Sequence, residues 1–256
     1  MHNTIILTSG LTGSSVLAGL LASGGYWPGD RTYKKKDYDT FENEDLTHLN
    51  HGLLEPSNFH SAYQTIYSPE VIDHVTSLAG TVDVAPFRDF LSRCNTHGPW
   101  VWKDPRLSVT IRFWNRVVDL SKCNFLVLTR DHFQSWVSTN SRYIVQSFRH
   151  TREYENAIHE SNVAFLEENR LPYQHITYEG LIAEPEKTIS RLNRFLSAQL
   201  TLANLEAVYH GPLHRRPGSS LPRITTAALV YLKNYHERVD SLKTPAPPPA
   251  LRSPLM

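Results

Sequence analysis

Short apolar runs alternate along the chain with longer stretches in which apolar residues recur at helical spacing. Residues 5–7 form the first apolar run, and a cluster rich in glycine, serine and threonine follows at residues 8–15. Beyond this cluster, one helical face is apolar, with Val16, Leu17, Leu20 and Leu21. This order predicts a buried strand, a tight loop and a helix.

The same alternation recurs further along the chain. Residues 100–103 and 125–128 are apolar runs of strand length. The segment 173–196 predicts a strand to Tyr178, a turn, and a helix with an apolar face of Ile189, Leu192, Phe195 and Leu196. Residues 148–168 predict a polar helix whose inward side carries Ala157, Ile158, Ala164, Phe165 and Leu166. Strands that alternate with helices predict an α/β fold with a parallel sheet.

The composition describes one domain with little net charge. The chain has 256 residues, enough for one domain with a substantial core, and its formal net charge is +1. Such a charge gives no indication of nucleic acid or a membrane surface as a partner. We assign residues 1–243 to one domain and the proline-rich residues 244–256 to an extended, flexible tail.

Cysteine content and hydropathy favour a cytoplasmic protein. Cys94 and Cys123 are too few for a disulfide framework or a metal set, and we expect them to be reduced core residues. No apolar stretch reaches the roughly 18 residues that a membrane span needs. A secretory signal would need a basic segment and an unbroken apolar run, whereas only His2 precedes the first run, which is soon interrupted.

The first loop resembles an anion-binding loop that lacks its cation. Gly10 and Gly13 permit positive φ and close backbone approach, and Ser15 can donate a hydroxyl hydrogen. The free N–H groups at the start of the following helix favour an anion. The ATP-binding form of this loop carries a lysine after its second glycine, where this chain has Ser14. An ordinary turn before a helix is the alternative.

Basic and hydroxyl side chains stand at or beyond the ends of later strands. Lys103 ends one apolar run, Arg130 follows the next, and Ser138 lies in the helix after it. Because ligands of parallel sheets bind beyond the carboxyl ends of the strands, these side chains should supply the charge that the loop lacks. The structural alternative pairs Arg130 with Asp131 and Lys103 with Asp104.

Five motifs occur in a fixed order over residues 3–200: "SGLTGSSVLAGLL", "FENEDLTHLNHGLL", "WKDPRLS", "VLTRDHFQSWVST" and "YEGLIAEPEKTISRLNRFL". Together they resemble the bacterial branch of the sulfotransferases that use 3′-phosphoadenosine-5′-phosphosulfate. The resemblance implies a P-loop-like, three-layer α/β fold with a central, mainly parallel sheet flanked by helices. It also implies transfer of a sulfuryl group to a hydroxyl or amine, leaving adenosine 3′,5′-bisphosphate, with no metal in the transfer.

The resemblance assigns nucleotide-binding roles to individual residues. The loop that holds the 5′-phosphosulfate is matched by Thr12, Gly13, Ser14 and Ser15. Arg130 and Ser138 match the pair that holds the 3′-phosphate, and both side chains suit phosphate oxygens. Tyr178 matches a residue near the adenine or the 3′-phosphate. Arg215 or Arg216 matches a C-terminal basic segment that closes over the nucleotide.

One departure from the family affects catalysis. Relatives usually have Arg, Lys or His at the position of Leu11, where the side chain stabilises charge on the leaving phosphate. Lys103 is our candidate for this missing cation, with Arg106 in reserve. Glu42 matches an acidic residue that could take the proton of the acceptor. The alternative bases are His48, His51 and His60.

Two other functions stay open at this point. A non-catalytic relative would bind the nucleotide without turnover, and Leu11 favours this alternative. A P-loop kinase for small molecules is disfavoured, because the loop lacks its lysine and no acidic, metal-binding strand end is evident. We expect the acceptor, a small molecule or a sugar, to contact the segments 26–75 and 140–160. The oligomeric state is open.

Overall fold

The computed structural model describes residues 1–57, 59 and 66–238. Its strands are β1 (Thr4–Thr8), β2 (Thr32–Lys34), β3 (Asp39–Asn43), β4 (Val101–Lys103), β5 (Asn124–Thr129) and β6 (Tyr173–Thr177). Its helices are α1 (Ser14–Ser23), α2 (Glu44–Leu54), α3 (Pro69–Ser77), α4 (Ala85–His97), α5 (Leu107–Val117), α6 (His132–Asn140), α7 (Phe148–Glu168), α8 (Tyr178–Ala183), α9 (Pro185–Leu196), α10 (Leu202–Glu206) and α11 (Leu221–Lys233). Single 3-10 turns occupy Glu55–Ser57, Leu78–Gly80 and Tyr235–Glu237.

The main sheet has four parallel strands in the order β4-β1-β5-β6. The central strand β1 pairs with two neighbours, and its Ile6 lies between Lys103 of β4 and Leu126 of β5. Strands β2 and β3 form a separate antiparallel hairpin. Because all four strands run the same way, their carboxyl ends lie at one edge of the sheet, where ligands of such folds bind.

Each face of the sheet is covered by its own hydrophobic core. Ile5 and Leu7 face one core, to which helices α2, α3, α4, α5 and α7 contribute. Ile6 and Leu128 face the other core, which α1, α8, α9 and α10 complete. Successive strand residues point to opposite faces, so one strand supplies both cores. The predicted fold class is therefore confirmed: a P-loop-like, three-layer α/β fold with a central parallel sheet.

Two details of the predicted elements are corrected. Strand β6 ends at Thr177, one residue earlier than predicted, because the Thr177 hydroxyl accepts from the Gly180 N–H and caps α8. In α7, Ile158 is buried as predicted, but Ala164 is exposed. Glu155 and Asn162 are buried on this helix, so its inward side is more polar than the prediction.

The cysteines and the termini complete the comparison with the sequence. Cys94 and Cys123 are buried free thiols, and burial raises the pKa of each to about 12. Within the described residues, no helix is both long and apolar enough to cross a membrane. The predicted tail, 244–256, and the alternative base His60 lie outside the described residues.

Candidate functional site

A cavity of about 1010 Å³, here called the large cavity, opens at the carboxyl edge of the sheet. Its walls come from the loop after β1, the β2–β3 hairpin, α2, the end of β4, the segment from Arg130 to Ile144, and α11. Two segments that we expected to contact the acceptor contribute to it, through residues 33–51 and through Arg142 and Ile144. The large cavity therefore gathers residues from distant parts of the chain.

The loop after β1 is shaped by two residues in the left-handed region. Leu11 has φ 64° and Gly13 has φ 84°. A Cβ on Gly13 would lie 2.4 Å from Cδ2 of Tyr178, so glycine is required both by the backbone and by this contact. Gly13 precedes the first turn of α1, which begins with Ser14 and Ser15 beside the large cavity. The loop thus directs a helix N-terminus into the cavity.

Thr12 differs from its neighbours in the loop. Its side chain is only 1% exposed, and its hydroxyl lies 2.5 Å from the hydroxyl of Thr8. The side chain therefore holds the loop onto the end of β1 and does not line the large cavity. Ser14 and Ser15, in contrast, line the cavity.

Arg130 follows β5 and reaches across to the loop. Its Nη1 donates to the carbonyl oxygen of Leu11 at 3.1 Å and to Oγ of Ser138 at 3.2 Å. Its guanidinium carbon lies 4.8 Å from the centre of the Tyr178 ring, within cation–π distance. Burial lowers the pKa of Arg130, but an arginine stays protonated at neutral pH. A permanent positive charge is thus held at the cavity wall.

The alternative pair between Arg130 and Asp131 is not formed. Asp131 accepts from the N–H of Gln134 at 3.1 Å, which caps α6, and its other oxygen lies 3.6 Å from Arg216. Among the described residues, no carboxylate forms an ion pair with Arg130. Its charge is therefore left for a ligand.

A second arginine, Arg223 of α11, meets the same hydroxyl. Its Nη2 donates to Oγ of Ser138 at 3.2 Å, and its charge helps to lower the pKa of Arg130. Within the described chain Arg223 has no ion pair with a carboxylate either. We call Arg130, Ser138 and Arg223 the arginine cluster. Two like charges around one hydroxyl form a site that an anion would stabilise.

The basic residues expected from the C-terminal motif lie elsewhere. Arg215 and Arg216 are exposed, and neither lines the large cavity. The guanidinium of Arg216 is 77% exposed and lies near Asp131. The sequence interpretation missed Arg223, which lies outside all five motifs. No local pattern marks it, because its importance follows from how α11 packs on α6.

Lys103 and Glu42, the two candidate catalytic residues, are partners. Lys103 ends β4 with its side chain only 3% exposed, and its Nζ donates a hydrogen bond to Oε1 of Glu42 on β3. The alternative partner, Asp104, instead accepts from Arg106 and from Asn50, each at 2.9 Å. The structural alternative, a pair of Lys103 with Asp104, is therefore not formed, and the ion pair of Lys103 with Glu42 faces the large cavity.

The remaining candidates lie around this ion pair. Arg106, the reserve cation, lines the large cavity and forms an ion pair with Asp104. His48 and His51 line the same cavity from α2, and His48 is exposed. Tyr178 lines it beside the arginine cluster, and burial raises its pKa to about 12, so its hydroxyl stays neutral. The structure thus brings together most of the predicted site residues.

Comparisons with known proteins give structural neighbours alone. No protein-family model and no curated protein matches the sequence. The chain is similar to the sulfotransferase domain of the Synechococcus PCC 7002 olefin synthase, with 17% identity over 96% of this chain and 90% of that chain, at a TM-score of 0.46. It is also similar to the sulfotransferase domain from the curacin biosynthetic pathway, with 14% identity, coverage of 97% and 94%, and a TM-score of 0.46.

A third neighbour is a sulfotransferase from Mycobacterium tuberculosis H37Rv. It is 13% identical over 91% of this chain and 77% of that chain, at a TM-score of 0.45. At these identities and TM-scores, the function has to be inferred from the residues of this chain.

Proposed function

We propose that the protein is a sulfotransferase that uses 3′-phosphoadenosine-5′-phosphosulfate and acts on a hydroxyl or amine of a small molecule or sugar. The observation that carries this proposal is the arginine cluster, where Arg130 and Arg223 share the Ser138 hydroxyl without a carboxylate partner in the described chain. It lies in the same cavity as the N-terminus of α1. Two anion sites in one cavity suit a nucleotide that carries anionic groups at both ends of its ribose.

Each anion site suits one end of that nucleotide. The arginine cluster would bind the 3′-phosphate, because guanidinium groups donate charge-assisted hydrogen bonds to phosphate oxygens. The start of α1, with Ser14 and Ser15, would bind the 5′-phosphosulfate through N–H groups and hydroxyls. Val16, Tyr178 and Val208 also line the cavity and offer apolar surface for the adenosine. The absence of a loop lysine makes ATP the poorer fit.

The ion pair of Lys103 and Glu42 supplies the groups that the transfer needs. When bound, the nucleotide would supply the sulfuryl group. Glu42 would take the proton from the acceptor hydroxyl as the acceptor oxygen bonds to sulfur. Lys103 would stabilise the negative charge that develops as the bond from sulfur to the phosphate oxygen breaks. The ion pair holds both side chains at the cavity wall.

Two measurements test the proposal. Titration calorimetry should show that adenosine 3′,5′-bisphosphate binds more tightly than ATP, because only the former offers a phosphate to the arginine cluster. A transfer screen with the labelled phosphosulfate against alcohols, phenols, sugars and amines should give a labelled product. Tight bisphosphate binding without transfer to any acceptor would favour a non-catalytic nucleotide-binding protein. Preference for ATP would contradict the proposal.

A further inference from the structure

A second cavity, here called the small cavity, lies on the α7 side of the same sheet edge. Its volume is about 220 Å³, and its walls are the ends of β1, β5 and β6, the start of α6, and one side of α7. Of the described residues, Arg130 alone lines both cavities. The nucleotide site described above therefore does not account for the small cavity.

Two residues of α7, Asn162 and His159, bring buried polar atoms to the small cavity that have no hydrogen-bond partner among the described residues, and Nε of Arg130, which also lines this cavity, has none either. Asn162 is 1% exposed, and neither its amide nitrogen nor its amide oxygen has a hydrogen-bond partner. Nδ1 of His159 is also buried without a hydrogen-bond partner. Both residues line the cavity. Burying a polar group without a hydrogen bond is unfavourable, so these groups favour a ligand that completes their hydrogen bonds.

The polar residues that α7 contributes to the small cavity lie on one side of this helix. Glu155, His159 and Asn162 follow each other at helical spacing and all line the small cavity. Oε2 of Glu155 lies 2.6 Å from Nδ1 of His132, so this carboxyl group already has a hydrogen-bond partner. Nε2 of His175 likewise lies 2.8 Å from the Thr129 hydroxyl. On α7, the groups without a hydrogen bond are therefore the neutral Asn162 amide and the His159 imidazole.

The chemistry of these groups selects the class of ligand. Asn162 needs both a donor and an acceptor, and an imidazole nitrogen can be either, according to its tautomer. A hydroxyl group donates and accepts at once, which suits both side chains. The rest of the wall includes Leu7, Val127 and Ile158, which can pack against carbon–hydrogen groups. The volume is below the roughly 300–1,000 Å³ of sites for drug-sized ligands, so one ring fits and an oligosaccharide does not.

We propose that the small cavity binds a single polyhydroxylated ring, such as a monosaccharide or a cyclitol. Its hydroxyls bond to Asn162 and His159, and its carbon–hydrogen face packs on the apolar wall. This site is separate from sulfuryl transfer, and its occupancy does not require the nucleotide.

Ligand-observed NMR titrations test the site, with glucose, N-acetylglucosamine and myo-inositol as probes and inorganic sulfate as an anionic comparison. We expect saturable binding of at least one polyol in the millimolar range, about −4 kcal/mol, and no competition by sulfate. Asn162→Leu should reduce this affinity at least about tenfold, because it removes the amide that would bond to the polyol. The variant should keep the fold, since that amide has no partner in the described protein. His159→Phe should also weaken polyol binding. It provides the test if Asn162→Leu does not fold.

The controls separate this site from the nucleotide site. Asn169→Leu, just beyond the end of α7 and outside the small cavity, should leave polyol binding unchanged. Ser138→Ala should weaken binding of adenosine 3′,5′-bisphosphate and leave polyol binding unchanged. Absence of polyol binding, binding that is unaffected by Asn162→Leu and His159→Phe, or binding of sulfate in place of the polyols would each overturn the proposal. None of these results depends on whether the protein transfers a sulfuryl group.

Discussion

Lys103 and Glu42 lie 61 positions apart in the sequence and form one ion pair at the wall of the large cavity. The Lys103 side chain is 3% exposed and that of Glu42 is 19% exposed, so both charges are largely removed from solvent. Removing either partner leaves the other charge partly buried and unpaired, which is costly. Any substitution at one position has therefore to be interpreted together with the other.

Lys103→Met should act mainly on the chemical step. The substitution keeps much of the apolar stem and removes the charge that would stabilise the transition state, so single-turnover transfer should slow by about 10²–10³-fold. Affinity for adenosine 3′,5′-bisphosphate should fall much less. Because the two residues act as a unit, Glu42→Gln and the double variant should show losses that do not add. An unchanged transfer rate in Lys103→Met would mean that another cation, such as Arg106, has this role.

Arg130→Ala should weaken binding of adenosine 3′,5′-bisphosphate by about 2–4 kcal/mol. It removes a charge-assisted partner of the 3′-phosphate, and that phosphate is then left without its hydrogen bonds. Binding of adenosine 5′-monophosphate, which lacks the 3′-phosphate, should change little. Calorimetric titration with both ligands measures the difference, and equal losses for both would contradict the assignment of Arg130.

Arg223→Ala should weaken binding of the same bisphosphate by about 1–3 kcal/mol, because Arg223 shares the Ser138 hydroxyl with Arg130. Arg216→Ala is the matched control, since it removes an exposed guanidinium outside the large cavity and should leave the affinity unchanged. If Arg216→Ala weakened binding and Arg223→Ala did not, Arg216 would be assigned to the nucleotide site as predicted from the sequence. Arg223 would then be excluded from that site.

Gly13→Ala should destabilise the protein by about 2–4 kcal/mol. A side chain at φ 84° is strained, and its Cβ would overlap the ring of Tyr178. Gly52→Ala is the control: Gly52 lies within α2, and apart from its own helix backbone and chain neighbours no atom of the described residues lies within 4 Å of the new Cβ, so the change should stabilise by up to about 1 kcal/mol. Urea denaturation of both variants gives the comparison, and equal midpoints would contradict the close contact at Gly13.

The hydrogen bond between His132 and Glu155 should make stability depend on pH. This bond raises the pKa of His132 above its ordinary value of about 6.5. The resulting stabilisation is complete below that value and is lost as the pH rises through the raised pKa. Thermal midpoints of the unsubstituted protein and of His132→Gln should therefore converge as the pH rises above about 6.5. A difference that grows with pH would contradict this assignment.

The sequence predicted the features that depend on neighbouring residues. The strand, loop and helix at the N-terminus follow from local periodicity, and Arg130 and Ser138 stand eight positions apart on one strand end and the following helix. Arg223 and the partner of Lys103 could not be predicted, because each contact joins segments 61 or more positions apart. The resemblance gave Glu42 as a candidate base, and β3 carries it to the cavity, but its contact with Lys103 was not predicted.

The direction in which the side chain of a single loop residue points could not be predicted from the sequence either. Thr12 lies between glycine-rich neighbours, and nothing in the sequence distinguishes an inward hydroxyl from one that faces a ligand. The polar side of α7 had a visible signal, since Glu155, His159 and Asn162 recur at helical spacing. Because of the apolar residues on the same helix, we predicted only an inward side that packs on the core.

The position of β1 at the centre of the sheet has a consequence for how the chain is made. The ribosome produces β1 well before its two neighbours, which begin only at residues 101 and 124. Its buried, apolar residues therefore remain without their neighbouring strands while nearly half of the chain is synthesised. Pairings between such distant segments form slowly and leave strand edges exposed to other chains. Production of this protein should thus depend on chaperones and on slow translation more than its small size alone would require.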